Sequence, residues 1–339
     1  MTTVDLLDIP LPASHPAGHG LLRIRGTVND GVIDQAEVAT GLMHRGAEKL
    51  FESRDYRQIL SLANRHDWLS SFDGELTAAQ VMEQALGITV PPRARALRTL
   101  LSEVCRINHH LYWLAETVAA LGGDAAGLRR SRAELTHALD LATGARMHLM
   151  IVRIGGLSMD VDDAWRDGLP TVAVAGCLEE VADRLAGVAV LSRQQAVAHA
   201  TSGVVARASG WDRDLRTHVR HVVHDRGDAL ARMRCLADEV EVSAQFIADM
   251  HIPSGEIDTR LPRTIRLPEG EYYGAGETGS GVNGWWIVSR GDVVPWRMKM
   301  RTASFNNAAA LGACLPGTPI GDLPVALMSF LLVAGDIDK

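Results

Sequence analysis

The sequence predicts an α+β fold in which a central helix bundle is flanked by N-terminal and C-terminal antiparallel β regions. Three observations point to it. Residues 20–40 alternate with a period of two around Asn29-Asp30-Gly31, residues 72–250 hold several runs with apolar positions at helical spacing, and alternation returns from Gly284. Strands at both ends with helices between them make a mixed fold with segregated elements. The 339 residues provide ample material for a buried core and show no repeat, low-complexity tract or flexible linker. They read as a single domain over 1–339, with a β region at 12–40, the bundle at 72–250 and a β region and tail at 284–339.

The elements follow in chain order. Leu22, Ile24 and Gly26 fall on one face and Arg23 and Arg25 on the other, with Val32 and Ile33 after the turn, which is the pattern of a β-hairpin. A capping box Thr77-x-x-Gln80 opens an amphipathic helix through Val81, Met82, Ala85 and Leu86 that ends at Gly87. Pro91-Pro92 precedes a run from Arg93 to Ala120 without Gly or Pro, carrying Leu97, Leu100, Val104, Ile107, Leu111, Leu114 and Val118 in helical register. Such a helix is roughly 40 Å long and would form the spine of a bundle. A third helix is expected from the box Ser131-x-x-Glu134 to Gly144, and two more near 178–198 and 228–249. Finally, Trp286 and Val288 alternate with Ile287 and Ser289, a Ser-Arg-Gly-Asp turn follows, and Trp296, Met298 and Met300 alternate with Arg297, Lys299 and Arg301, a second hairpin.

Composition excludes several functions. With 34 Lys+Arg against 41 Asp+Glu the net charge is −7, which gives no electrostatic basis for binding nucleic acid. The four cysteines, Cys105, Cys177, Cys235 and Cys314, show no CxxC and make neither a zinc nor an iron–sulfur ligand set; they read as thiols in a reducing compartment. The first twenty residues lack the basic start and apolar stretch of a signal peptide, and the apolar run at 323–335 is shorter than a membrane-spanning helix needs. Membrane association is therefore expected through a partner.

Chemistry-bearing residues are few. His15 and His19 lie in a Gly/Pro-rich loop just before the first hairpin, which suits either an imidazole held at a cavity mouth or two solvated histidines. Glu103, Arg106 and His110 share one face of the long helix with Ile107 and Leu114, either as the polar lining of a buried site or as a structural ion pair between helices. His218, His221 and His224, three residues apart, would splay their rings and hold no metal. The glycines from Gly274 to Gly284 match neither a P-loop nor a dinucleotide fingerprint.

Eight collinear segments together resemble one family. They are HPAGHGLLR (15–23), GLMHRGAEKLFE (41–52), VPPRARALRTLLSEVCRINHHL (90–111), GARMHLMIVRIGG (144–156), SGVVARASGWDRDLR (202–216), RGDALARMRC (226–235), PWRMKMRTASF (295–305) and GDIDK (335–339). The chain resembles the D subunit, or quinone-pocket subunit, of the proton-pumping NADH:quinone oxidoreductase, respiratory complex I, a relative of [NiFe]-hydrogenase large subunits. The resemblance implies a hydrogenase large-subunit-like fold. It also implies a place beside an iron–sulfur subunit carrying the terminal [4Fe-4S] cluster, among other peripheral-arm and membrane-arm subunits on the cytoplasmic face of the membrane. NADH would be used elsewhere in the complex, quinone would be the substrate, and this chain would bind no metal. Hydrogenases of this superfamily hold nickel with cysteine pairs near both ends; here His44-Arg45-Gly46 and Gly335-Asp336-Ile337-Asp338 stand in those places, which disfavours hydrogen activation.

Residue by residue, the resemblance makes His19 the pocket histidine that hydrogen-bonds a quinone carbonyl and delivers a proton, with His15 and Trp68 beside it. It places Arg45, Arg65 and His148 near the partner's cluster, with His44, Glu103, Arg106 and His110 as supporting polar groups. Some positions depart from the family pattern. Trp68 replaces a tyrosine, Ala120 an aspartate paired with the pocket histidine, Ile154 a proline and Ser158 a histidine. The implied activity is quinone reduction; the alternative is a paralogue that has lost quinone chemistry and serves as an assembly or structural subunit of a related membrane complex.

Overall fold

The structure, a computed structural model, describes residues 4–11 and 21–339. An N-terminal sheet comprises β1 (Val4–Leu11), β2 (Leu22–Asn29) and β3 (Val32–Ala39), antiparallel in that order. The expected hairpin is β2–β3, and its turn works because Asp30 (φ 48°) and Gly31 (φ 78°) both take the left-handed conformation that matches strand twist. Leu22, Ile24 and Val28 are buried, as the alternation requires. The edge strand β1 was not legible, because Asp5, Asp8 and Pro10 interrupt its apolar residues.

After the short α1 (Ala47–Phe51), Asp55 caps α2 (Tyr56–Ala63) by accepting from the amides of Arg57 and Gln58. The next helix, α3 (Ser71–Leu86), begins six residues before the expected box. Thr77 lies inside it, its hydroxyl donating to the Asp73 carbonyl one turn back, so no capping box forms. Gly74 is required there, since a Cβ would lie 2.5 Å from the Ala63 carbonyl. The spine is α4 (Pro92–Ala120), with Pro92 in its first turn. Similarly, α5 (Ala126–Thr143) starts ahead of Ser131, where Asp124 accepts from the Ala126 amide at 2.8 Å, and ends at Gly144 as expected.

Residues 145–228 are largely irregular: a two-strand ladder β4 (Val152–Arg153) and β5 (Gly156–Leu157), then α6 (Asp163–Asp167), α7 (Ala182–Leu185), α8 (Arg193–Ala198) and α9 (Gly203–Arg207). The helical stretch expected at 178–198 is broken at Gly187 (φ 75°) and Ala189 (φ 48°), and restarts at the Ser192/Gln195 capping box. Asp228 caps α10 (Ala229–Asp249), which packs along α4.

The C-terminal sheet has three strands: β6 (Gly270–Glu277), β7 (Val282–Ser289) and β8 (Arg297–Arg301). The expected hairpin is β7–β8, with Met298 and Met300 buried and Arg297 and Lys299 exposed. The glycine-rich stretch is the β6–β7 hairpin, and its glycines let the sheet lie on α3. A Cβ would sit 2.6 Å from Val81 at Gly274 and 2.7 Å from Thr77 at Gly276. Then α11 (Ala303–Cys314) packs on β3, and α12 (Leu323–Ser329) and α13 (Ala334–Ile337) close the fold. Among the described residues no helix is long and apolar enough to cross a membrane.

Candidate functional site

Residues 41–46, between β3 and α1, meet residues 335–338. Asp338 clasps the loop, its two carboxylate oxygens accepting the Gly41 and Met43 amides at 2.6 and 2.7 Å. Beside this clasp opens a cavity of about 400 Å³ lined by Met43, Arg45, Leu62, Arg65, His66 and Gly335, among others. Arg45 and Arg65 are both exposed, so their guanidinium groups stand at the rim. The turn after α2 presents Arg65 and His66, because the Arg65 amide bonds back to Leu62 and ends the helix there.

Behind the wall lies a buried acid cluster that spacing alone did not reveal. His66 Nδ1 lies 2.7 Å from Asp336 Oδ1, and Asp336 Oδ2 accepts the Ser304 amide at the start of α11. Burial alone would raise the Asp336 carboxyl, but the bond and charge of His66 and the bonds from Ser304 outweigh it and hold it below its ordinary value. The neighbouring Asp67 is pushed up to about 6 by burial and by the Asp336 charge. Its partners are the Leu69 and Ser70 amides and the Ser280 hydroxyl.

His148 is half-buried on the other side of Arg65. Its Nδ1 is hydrogen-bonded to Asn64, which donates to Glu75, which in turn accepts the Val152 amide at 3.2 Å. Burial and the Arg65 charge lower the imidazole pKa, while burial pushes the Glu75 carboxyl up to about 7. Met150, within 3.8 Å of Arg65 Nη2, has a strained left-handed φ of 52°. Arg45 and Arg65 thus line one cavity, and the Arg65 charge acts on His148.

Glu103, Arg106 and His110 lie at the centre of a charged core. Glu239 of α10 accepts Arg207 Nη2 at 2.6 Å and His110 Nε2 at 3.0 Å, with Arg216 at 3.4 Å and Arg106 at 3.7 Å. Glu103 accepts from Arg216 at 3.1 Å and from Ser243, and meets His218 at 2.9 Å. Arg207 also reaches Glu277 at 2.7 Å and Asp214 at 3.5 Å, and Arg106 donates to the carbonyls of Glu277 and Thr278. Burial would raise Glu103 and Glu239, yet the surrounding bonds and cations hold Glu103 at about 2 and Glu239 well below its usual range. These groups tie α4, α9, α10 and the β6–β7 turn together, the inter-element ion-pair role that the spacing left open.

The remaining candidates separate. Trp68 is half-buried and edge-on to Tyr112 at 5.9 Å, beside a much smaller pocket of about 30 Å³. His44 is exposed on the 41–46 turn, and His15 and His19 lie outside the described residues. Ala120 is exposed at the end of α4, Ser158 is exposed and Ile154 is buried. His218, His221 and His224 face separate carboxylates, Glu103, Asp212 and Asp238, and no metal-binding group of three His, Cys, Asp or Glu occurs among the described residues. The four cysteines are free thiols.

The family model described as respiratory-chain NADH dehydrogenase, 49 Kd subunit, matches residues 125–263 and 256–339. The second of the NADH-quinone oxidoreductase D subunits of Streptomyces griseus is 41% identical over 357 residues, covering 96% of this chain and 90% of that one. The D subunit of the same enzyme from Carboxydothermus hydrogenoformans is 32% identical over the whole of both chains. A chain in the structure of the membrane-bound sulfane sulfur reductase (MBS), an archaeal respiratory membrane complex, superposes with a TM-score of 0.87 at 26% identity, covering 99% of each. The α+β fold, the collinear segments and these relatives agree, and the chain belongs to the family of the respiratory-chain NADH dehydrogenase 49 kDa subunit, which is the D subunit of NADH-quinone oxidoreductase.

Proposed function

We propose that this chain forms the quinone-reduction pocket of an NADH-quinone oxidoreductase, beside the terminal [4Fe-4S] cluster of a partner iron–sulfur subunit. The observation that carries the reading is the cavity rimmed by Arg45 and Arg65 with His148 adjoining. The donor set suits a cluster held by a partner, since guanidinium groups ligate no metal but stabilise added negative charge. NADH is oxidised elsewhere in the complex, and the chain sits peripherally on the cytoplasmic face with peripheral-arm and membrane-arm subunits around it.

Reducing a quinone to a quinol takes two electrons and two protons. Arg45 and Arg65 favour arrival of the electrons by their fixed charge. His148, kept neutral by burial and by Arg65, is ready to accept a proton as negative charge accumulates. His19 hydrogen-bonds a quinone carbonyl and supplies one proton, and Trp68, where the family carries tyrosine, can only donate a hydrogen bond.

The test is to purify the tagged complex in mild detergent, identify its subunits and assay NADH-driven quinone reduction in the parent and in His19→Ala. Loss of activity in the variant with assembly intact is expected. A second reading, a structural subunit without quinone chemistry, is favoured by the place of Trp68 away from the larger cavity and by likeness to a complex named as a sulfane sulfur reductase. An assembled parent complex that reduces no quinone would establish it.

A further inference from the structure

A line of hydrogen bonds joins the acid cluster behind the cavity to the charged core. Ser280 Oγ lies 2.6 Å from Asp67 Oδ2 and 3.2 Å from His109 Nε2. His109 Nδ1 lies 2.9 Å from His110 Nδ1, and His110 Nε2 lies 3.0 Å from Glu239. None of the five residues is more than 4% exposed. At the far end Arg216 bridges Glu239 to Glu103, which meets the part-exposed His218.

One anion orders the imidazoles. Glu239 is held ionised, so His110 carries its proton on Nε2 and donates it there. Burial lowers the His110 pKa and keeps it neutral, leaving Nδ1 to accept a proton from His109 Nδ1. His109 then turns an acceptor, Nε2, toward Ser280 and toward the Trp113 indole N–H at 3.3 Å. At the other end burial and the Asp336 charge lift the Asp67 carboxyl to about 6.

We propose that Asp67, Ser280, His109 and His110 form a proton relay that shifts a proton between the acid cluster behind the cavity and the imidazole held by Glu239 during turnover. Resting on the quinone-reduction reading, the step starts from the tautomers that Glu239 dictates: neutral His110 protonated on Nε2, His109 protonated on Nδ1, and protonated Asp67. The Asp67 O–H breaks and a Ser280 O–H forms, while the original Ser280 O–H proton moves to His109 Nε2. His109 Nδ1–H breaks and His110 Nδ1–H forms. The product is ionised Asp67, His109 protonated on Nε2 and His110 as imidazolium paired with ionised Glu239, and the return step restores the starting tautomers. His66 lines the cavity and Asp67 does not, so Asp67 acts through its charge rather than by touching substrate.

The test uses the assembled complex with Ser280→Ala, Ser280→Thr, His109→Gln and the Ser280→Ala/His109→Gln double variant. Ser280→Ala should lower kcat for NADH-driven quinone reduction at least tenfold with KM unchanged, and change the solvent deuterium isotope effect. Ser280→Thr, which keeps the hydroxyl, should restore both. His109→Gln keeps hydrogen bonding but cannot pass a proton, and should match Ser280→Ala, with the double variant no slower than either. Reduction-induced infrared difference spectra should show a protonated-carboxyl band that Asp67→Asn and Ser280→Ala both remove. An active parent with Ser280→Ala unchanged, or with Ser280→Thr as slow as Ser280→Ala, overturns the relay alone. A parent that reduces no quinone overturns the pocket reading and the relay together.

Discussion

Replacing Asp73 by Asn should stabilise the protein, and should do so more as the pH rises. Asp73 lies inside α3 at 3% exposure; one carboxyl oxygen accepts the Ser102 hydroxyl and the other has no partner. Burial pushes its pKa up to about 7 from an ordinary 3.8; Arg106 opposes this, while Glu103 and Asp67 add to it. The folded state therefore binds this proton more tightly than the unfolded chain. That contribution to stability is fully present below pH 3.8 and is lost as the pH rises through about 7. At about 1.4 kcal/mol per pH unit, the burial of Asp73 costs roughly 2 kcal/mol by pH 5, where only the unfolded chain ionises it, and about 4 kcal/mol by pH 8, whereas Asn stays neutral in both states. An unfolding entropy of about 2 cal/mol/K per residue makes the latter a shift in Tm of about 6 °C for a chain of this size. Differential scanning calorimetry of the purified parent and Asp73→Asn at pH 5 and pH 8 reads the difference directly. An equal Tm difference at both pH values would refute the argument from burial.

Three further outcomes follow from the geometry. Glu239→Gln leaves Arg207 and Arg216 under-compensated in the core and should cost about 3–5 kcal/mol, read as a lowered Tm; a change under about 1 °C would count against the charged core as the tie between α4 and α10. At Gly279 a Cβ would lie 2.6 Å from His109 Cγ, so Gly279→Ala should destabilise by about 1–3 kcal/mol and shift the His109 ring resonances, and a neutral effect would contradict this packing. Trp68→Tyr combined with Ala120→Asp should raise quinone reduction by the assembled complex, since the family resemblance implies a hydroxyl and a carboxylate at those positions; unchanged activity would argue against the proposed pocket.

Local chemistry was legible where one segment carried its own signal. Asn29-Asp30-Gly31 announced its hairpin and the apolar register from Leu97 to Val118 announced α4, because neither pattern depends on distant residues. The start of α3 was hidden because Asp73, Gly74 and Glu75 look like a loop and are in fact buried against the rest of the fold. Strand β6 was hidden because its glycines answer to Val81 and Thr77 on a helix nearly 200 residues earlier. For the same reason the spacing of Glu103, Arg106 and His110 marked a shared face but not its partners, since Glu239 is 129 residues from His110. Arg45, Arg65 and His148 were named through family resemblance. His66 and Asp336, which are 270 residues apart, had no local signal to bring them together.

The clasp of Asp338 on Gly41 and Met43 ties cavity formation to protein synthesis. The loop bearing Arg45 leaves the ribosome 295 residues or more before the carboxylate that holds it, an interval of some 15–60 s at ordinary elongation rates. Within that interval the N-terminal sheet and then the bundle can assemble around an unfastened loop, and the C-terminal sheet follows only in its last part. A chain cut before residue 338 would lose both of these bonds to the loop bearing Arg45.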